Sequence, residues 1–91
     1  MPTSYILINS DLGTDESIII KIKEILADEK DIQYEIQGVY GVYDIVLKLS
    51  SDDIDTLRST ITNKIRKITS VQSTLTMMVI EEQEQHRLFP N

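Results

Sequence analysis

The chain has 91 residues, of which 41% are hydrophobic and 26% charged, and it contains no cysteine. That length suits one domain, and the missing thiols exclude disulfide staples, iron–sulfur clusters, thiolate zinc sites and cysteine nucleophiles. Nine Lys and Arg against fifteen Asp and Glu leave a net charge of −6, the wrong sign for drawing a nucleic acid or an acidic membrane surface.

Tyr5-Ile6-Leu7-Ile8 predicts a first strand, ended by the turn-forming stretch Asn9-Ser10-Asp11-Leu12-Gly13. Thr14 is placed to cap a helix, Asp15 and Glu16 complement its dipole, and Ile18, Ile22, Ile25 and Leu26 recur at helical spacing, so a helix is expected from about Asp15 to Asp28. From Ile32 the period becomes two, with Ile32, Tyr34 and Ile36 alternating against Gln33, Glu35 and Gln37. Gly38 and Gly41 interrupt the alternation, and it resumes from Tyr43 to Leu49, which predicts a hairpin. Ser51, Asp52 and Asp53 open a second helix whose stripe runs Ile54, Leu57, Ile61, Ile65 and Ile68, with Lys64, Arg66 and Lys67 where its dipole favours cations. Val71 to Ile80 supplies a fourth strand.

The order β-α-β-β-α-β predicts an α+β, ferredoxin-like sandwich: a four-stranded antiparallel sheet with two helices on one face. Helix stripes cover one side of each strand, yet the first strand is apolar on both, with Tyr5 and Leu7 opposed to Ile6 and Ile8. The fourth offers Leu75, Met77 and Val79 against Thr74, Thr76 and Met78. The bare face would expose more than ~500 Å² of apolar surface, rare on a monomer, so the chain is expected to dimerise through it. The domain is taken as residues 1–91, with a core of about 3–81 and a polar extension over 82–91. The longest uninterrupted apolar runs are four residues, Tyr5 to Ile8 and Met77 to Ile80, too short to cross a bilayer. Neither a membrane partner nor a secretion leader is indicated, and the expected location is cytoplasmic.

No catalytic machinery is legible. The single histidine, His86, lies beside Glu82 and Glu84 in the extension, where further rigid ligands for a metal are missing. Without a second histidine or a nucleophile elbow there is no triad. Asp52, Asp53 and Asp55 read as helix caps rather than catalytic carboxylates. The Gly38-x-x-Gly41 spacing and the element order are shared with RNA-binding modules, but the third strand offers only Tyr43 and Lys48, short of the set of aromatic and basic residues that stacks bases. What remains is Gly38, Gly41, Tyr43 and Asp44 with Ser73, Thr74 and Thr76. Amides of a glycine turn can receive a carboxylate, and an aspartate with hydroxyls can hold an ammonium, which are the two ends of an amino acid. Equally, Asp44 can cap the hairpin and the threonines can serve strand propensity.

These residues carry a resemblance. Tyr5 to Ile8, Gly41-Val42-Tyr43-Asp44-Ile45-Val46-Leu47-Lys48, Leu57 to Ile68, Val71 and Ser73-Thr74-Leu75-Thr76 resemble the effector-binding (RAM) domain of the Lrp/AsnC transcriptional regulators. The resemblance implies a ferredoxin-like sandwich that dimerises through its sheets, assembles into tetramers of dimers, and binds an amino-acid effector at clefts between dimers. It implies that Gly41 offers its backbone to the ligand, Tyr43 shapes the wall, Asp44 holds the ammonium, and Thr74 and Thr76 supply hydroxyls. Family members usually carry a helix-turn-helix domain ahead of this one, whereas Met1 here stands four residues before the first strand. The implied protein is a stand-alone form, found especially in archaea, that does not read DNA directly and acts through full-length relatives. No cofactor is implied. Tyr40 stands before Gly41 where a small hydroxyl residue is common, which narrows or alters the pocket. Two other readings compete: a purely structural oligomerisation domain without a ligand, and a small dimeric α/β-barrel enzyme of the monooxygenase type.

Overall fold

The first strand alternates between two environments, and the architecture follows from which of its sides the helices cover. In the computed structural model, which describes residues 1–80, the elements run β1 (Thr3–Ser10), α1 (Asp15–Ala27), β2 (Gln33–Gly38), β3 (Ile45–Ser50), α2 (Ile54–Asn63), a 3-10 turn (Ile65–Lys67) and β4 (Val71–Met78). The strands form one antiparallel sheet in the order β2-β3-β1-β4. The expected ferredoxin-like arrangement is therefore the one observed.

Register decides which side chains share a face. Ile6 pairs with Leu47 and Ile8 with Ile45 across the β1–β3 ladder, and all four are buried together with Leu49. From α1 the buried residues are Ile18, Ile22 and Leu26, four apart, and from α2 they are Leu57, Thr60 and Ile61. Ile32 and Ile65 close the cluster. Every hydrophobic member of this core is Ile or Leu, each worth about 1.5–3 kcal/mol when removed from water. The buried hydroxyls are satisfied locally: Ser4 donates to the Met77 carbonyl at 3.3 Å, and Ser51 accepts from the Asp53 amide at 3.2 Å.

The opposite face of the sheet carries Tyr5 and Leu7 from β1, Val46 and Lys48 from β3, Gln33, Glu35 and Gln37 from β2, and Leu75 and Met77 from β4, as the pairings Leu7–Leu75, Tyr5–Met77 and Glu35–Lys48 require. No helix covers it, and Leu75 and Met77 remain 44% and 45% exposed. The face is divided: its β1–β4 side is apolar, whereas on the β2–β3 side Lys48 reaches Glu35 at 3.9 Å and stands 5.9 Å from the Tyr5 ring centre.

Several local expectations need correction. β1 continues through Ser10 because Asn9 and Ser10 still pair with β4, across a register shift. Thr14 does not cap α1; its hydroxyl donates to the Asp11 carbonyl at 2.7 Å, so it closes the preceding turn instead. Gly38 belongs to β2, and β3 starts at Ile45 rather than Tyr43, because residues 39–44 form the connecting loop. The second helical stripe is not one α-helix. α2 ends at Asn63, and Ile65 and Ile68 follow in the 3-10 turn and just beyond it, so Lys64, Arg66 and Lys67 lie past the α-helical end rather than in its last turn. β4 ends at Met78. The polar extension with His86 and Leu88-Phe89-Pro90 lies outside the described residues.

Asp53 caps α2: its carboxylate accepts from the Asp55 and Thr56 amides at 3.0 and 3.2 Å and from the Thr56 hydroxyl at 2.9 Å. The Thr56 hydroxyl, then the Thr56 and Asp55 amides, hold the Asp53 carboxyl below its ordinary value of 3.8. A group depressed on folding adds stability above its unfolded value and loses it as pH falls through the folded one, so this contribution begins to decline as pH falls below about 4. Replacing Asp53 with Ala should lower the melting temperature at neutral pH and shrink the difference from wild type below that point, as read by circular dichroism melts across pH.

Candidate functional site

The candidate residues gather at one end of the sheet because the ladders align three strands there. Ile8 faces Ile45 on one side and Thr74 on the other, and Asn9 faces Ser73. Asp44 immediately precedes Ile45, so the β2–β3 loop, the end of β1 and the start of β4 come together. The loop is fixed through backbone: the Val39 amide donates to the Asp44 carbonyl at 2.8 Å, and the Asp44 amide donates to the Ile8 carbonyl at 3.0 Å. Within it Gly41 has φ 151°, and no heavy atom lies within 4 Å of the position a Cβ would take. Tyr40 and Val42 on either side are exposed, whereas Tyr43 and Asp44 are half-buried.

Asp44 has an internal partner that sequence reading missed. Its Oδ2 accepts from the Ser10 amide at 2.9 Å and from the Ser10 hydroxyl at 3.2 Å. Ser10 sits where the β1–β4 register shifts, so its amide is drawn away from the regular ladder and needs an acceptor. The carboxylate supplies one. Both bonds fall on a single oxygen, and a charge-assisted pair of this kind locks the loop to β1. A hydroxyl residue two positions after the apolar run Tyr5 to Ile8, with an aspartate directly before Ile45, is the sequence signal of this contact, and it is weak.

The threonines are placed differently. Thr74 is half-buried beside Ile8, while Thr76, two residues along the strand beside Ile6, is exposed. Ser73 accepts from the Asn9 side-chain amide at 3.3 Å. Because β1 separates β3 from β4, two strand spacings, about 10 Å, lie between the Asp44 backbone and that of Thr74. One protomer therefore brings Asp44 and Thr74 to the same end of the sheet, with β1 between them. Among the described residues, no group of three or more His, Asp or Glu side chains is placed to hold a metal.

Comparison with known proteins settles the class. The model of the Lrp/AsnC ligand binding domain matches residues 3–89. The chain belongs to the Lrp/AsnC ligand-binding domain family. Its fold superposes on that of the hypothetical protein PHS023 from Pyrococcus horikoshii with a TM-score of 0.71 and 33% identity, covering 96% of this chain and 99% of that one. AsnC of E. coli gives a TM-score of 0.73 at 24% identity, over 98% of this chain and 57% of AsnC. The transcriptional regulator NMB0573 of Neisseria meningitidis, whose structure is a complex with L-Met, gives 0.66 at 12% identity, over 98% of this chain and 56% of that one. No curated protein matches the chain. This Lrp/AsnC domain thus spans the whole of one relative and little more than half of two regulators.

Gly41 permits a specific test of the loop. An alanine there meets no neighbour, so any cost comes from the backbone angle alone. Gly41→Ala is expected to destabilise the domain by about 1 kcal/mol in urea titration, without a change in the steepness of the transition.

Proposed function

We propose that this Lrp/AsnC domain is a non-catalytic, amino-acid-sensing and oligomerisation module that acts on transcription indirectly, through full-length regulators of its family, in the cytoplasm. It is read as a single domain over residues 1–91, with its core at about 3–81. The observation that carries the proposal is the uncovered sheet face, where Leu7, Leu75, Met77 and Val46 form an apolar surface beside Tyr5. Burying it against a second copy removes water from that surface, and the divided character of the face favours a two-fold pairing of the apolar halves.

Dimers of this kind present the loop and strand residues at their edges. The effector is assigned to a cleft between dimers, as the family resemblance implies, with Asp44 and Thr74 contributed by neighbouring copies. Asp44 receives the ammonium through the oxygen that Ser10 leaves free, Gly41 presents backbone, Thr74 and Thr76 supply hydroxyls from the neighbouring copy, and Tyr43 forms part of the wall. Family membership and the L-Met complex of NMB0573 support an amino acid as the class of ligand. A tetramer of dimers is the assembly such clefts favour. The ligand-free structural reading draws on one observation, that Ser10 already occupies one oxygen of Asp44.

Two measurements decide between them. Sedimentation velocity of the wild type at micromolar concentration should show a dimer or a larger assembly, and Leu75→Lys should drive it toward monomer; a folded wild-type monomer would overturn the oligomer. Calorimetry with the twenty amino acids should find at least one that binds. Asp44→Asn, which keeps an acceptor for Ser10 but removes the charge, should weaken that binding by about 2 kcal/mol. If no amino acid binds or raises the melting temperature, the structural reading stands.

A further inference from the structure

We infer that the groove between α1 and the 3-10 turn is a binding site for a small organic phosphate, separate from the amino-acid site. The groove encloses about 320 Å³ and brings together two segments far apart in the chain. Ile18 and Ile25 from α1 and Ile68 beyond the 3-10 turn form its apolar floor. Lys21, Lys64 and Lys67 stand around it, with Thr69 and Ser70 alongside.

Charge makes this arrangement informative. The chain carries −6 overall, yet no Asp or Glu is among the groove's lining residues. Lys64 is held by an ion pair with Glu29, which anchors one ammonium at the rim. Among the described residues Lys21 and Lys67 have no ion-pair partner. Lys21 and Lys67 thus bring two unpaired ammonium groups to one concavity, and an anion entering there is attracted by both. A phosphate monoester carries about −1.5 to −2 near neutral pH and has three acceptor oxygens, matching two unpaired lysines and the adjacent hydroxyls. The isoleucine floor calls for more than the phosphate itself, namely an apolar body attached to it. The inference does not use Gly41, Asp44 or the threonine strand and survives if they bind nothing.

The test is calorimetric titration of the full chain with phenyl phosphate at fixed ionic strength, with inorganic phosphate in parallel. Saturable binding is expected for phenyl phosphate and roughly fivefold weaker binding for inorganic phosphate, reflecting the apolar floor. The double variant Lys21→Gln with Lys67→Gln should weaken phenyl phosphate roughly tenfold, whereas Arg58→Gln, outside the groove, should leave it unchanged. Circular dichroism establishes that both variants are folded. Absence of saturable binding by wild type, equal affinity in the double variant, or an equal loss in Arg58→Gln would each overturn the assignment. None of these outcomes bears on the amino-acid titration.

Discussion

Two helices can cover only one side of a four-stranded sheet. Everything distinctive about this domain follows from that constraint, because β1 and β4 place large apolar residues on both sides. Ile6 and Ile8 are spent on the core with Leu47, Ile45 and the helix stripes, and Tyr5 and Leu7 on the other side meet Met77 and Leu75 with nothing above them. Among the described residues the core is closed, while the opposite face of the sheet keeps Leu75 and Met77 partly exposed.

The same sheet explains why the candidate site is divided. Aligning three strands at Ile45, Ile8 and Thr74 collects loop, bulge and strand at one end of the sheet, but it also inserts β1 between the two sets of candidate residues. Asp44 contributes within its own chain by fixing Ser10, and this tie holds the β2–β3 loop in a set position relative to the sheet. A carboxylate with one oxygen committed and one available can position and bind at once, so structural and recognition roles for Asp44 need not exclude each other.

Much of this was legible from the residues. The period of two in residues 32–36 and 45–49, the stripe Ile18–Ile22–Leu26, and the opposed pairs of β1 predict the element order, the sheet and the bare face, since burial pattern and backbone period are the same physical fact. The failures are equally physical. Lys64, Arg66 and Lys67 continue a helical stripe in sequence, but the chain tightens into a 3-10 turn, and spacing alone does not distinguish i+3 from i+4 hydrogen bonding over so short a run. Thr14 has the right chemistry for a cap, but its hydroxyl takes the nearer Asp11 carbonyl. The Asp44–Ser10 bond joins residues 34 apart and depends on a bulge, a feature that alternation does not encode. Likewise, the separation of Asp44 from Thr74 depends on strand order rather than on any local motif.

The aliphatic core has an optical consequence. Its hydrophobic residues are all isoleucine or leucine, and the chain has no tryptophan, so no aromatic ring is sealed in the interior of the described residues. Tyr5 lies on the bare face under Lys48 and Tyr40 at the exposed loop tip. Ultraviolet emission from the described tyrosines therefore comes from rings at or near the surface, and a partner that covers the bare face would change the surroundings of Tyr5 directly.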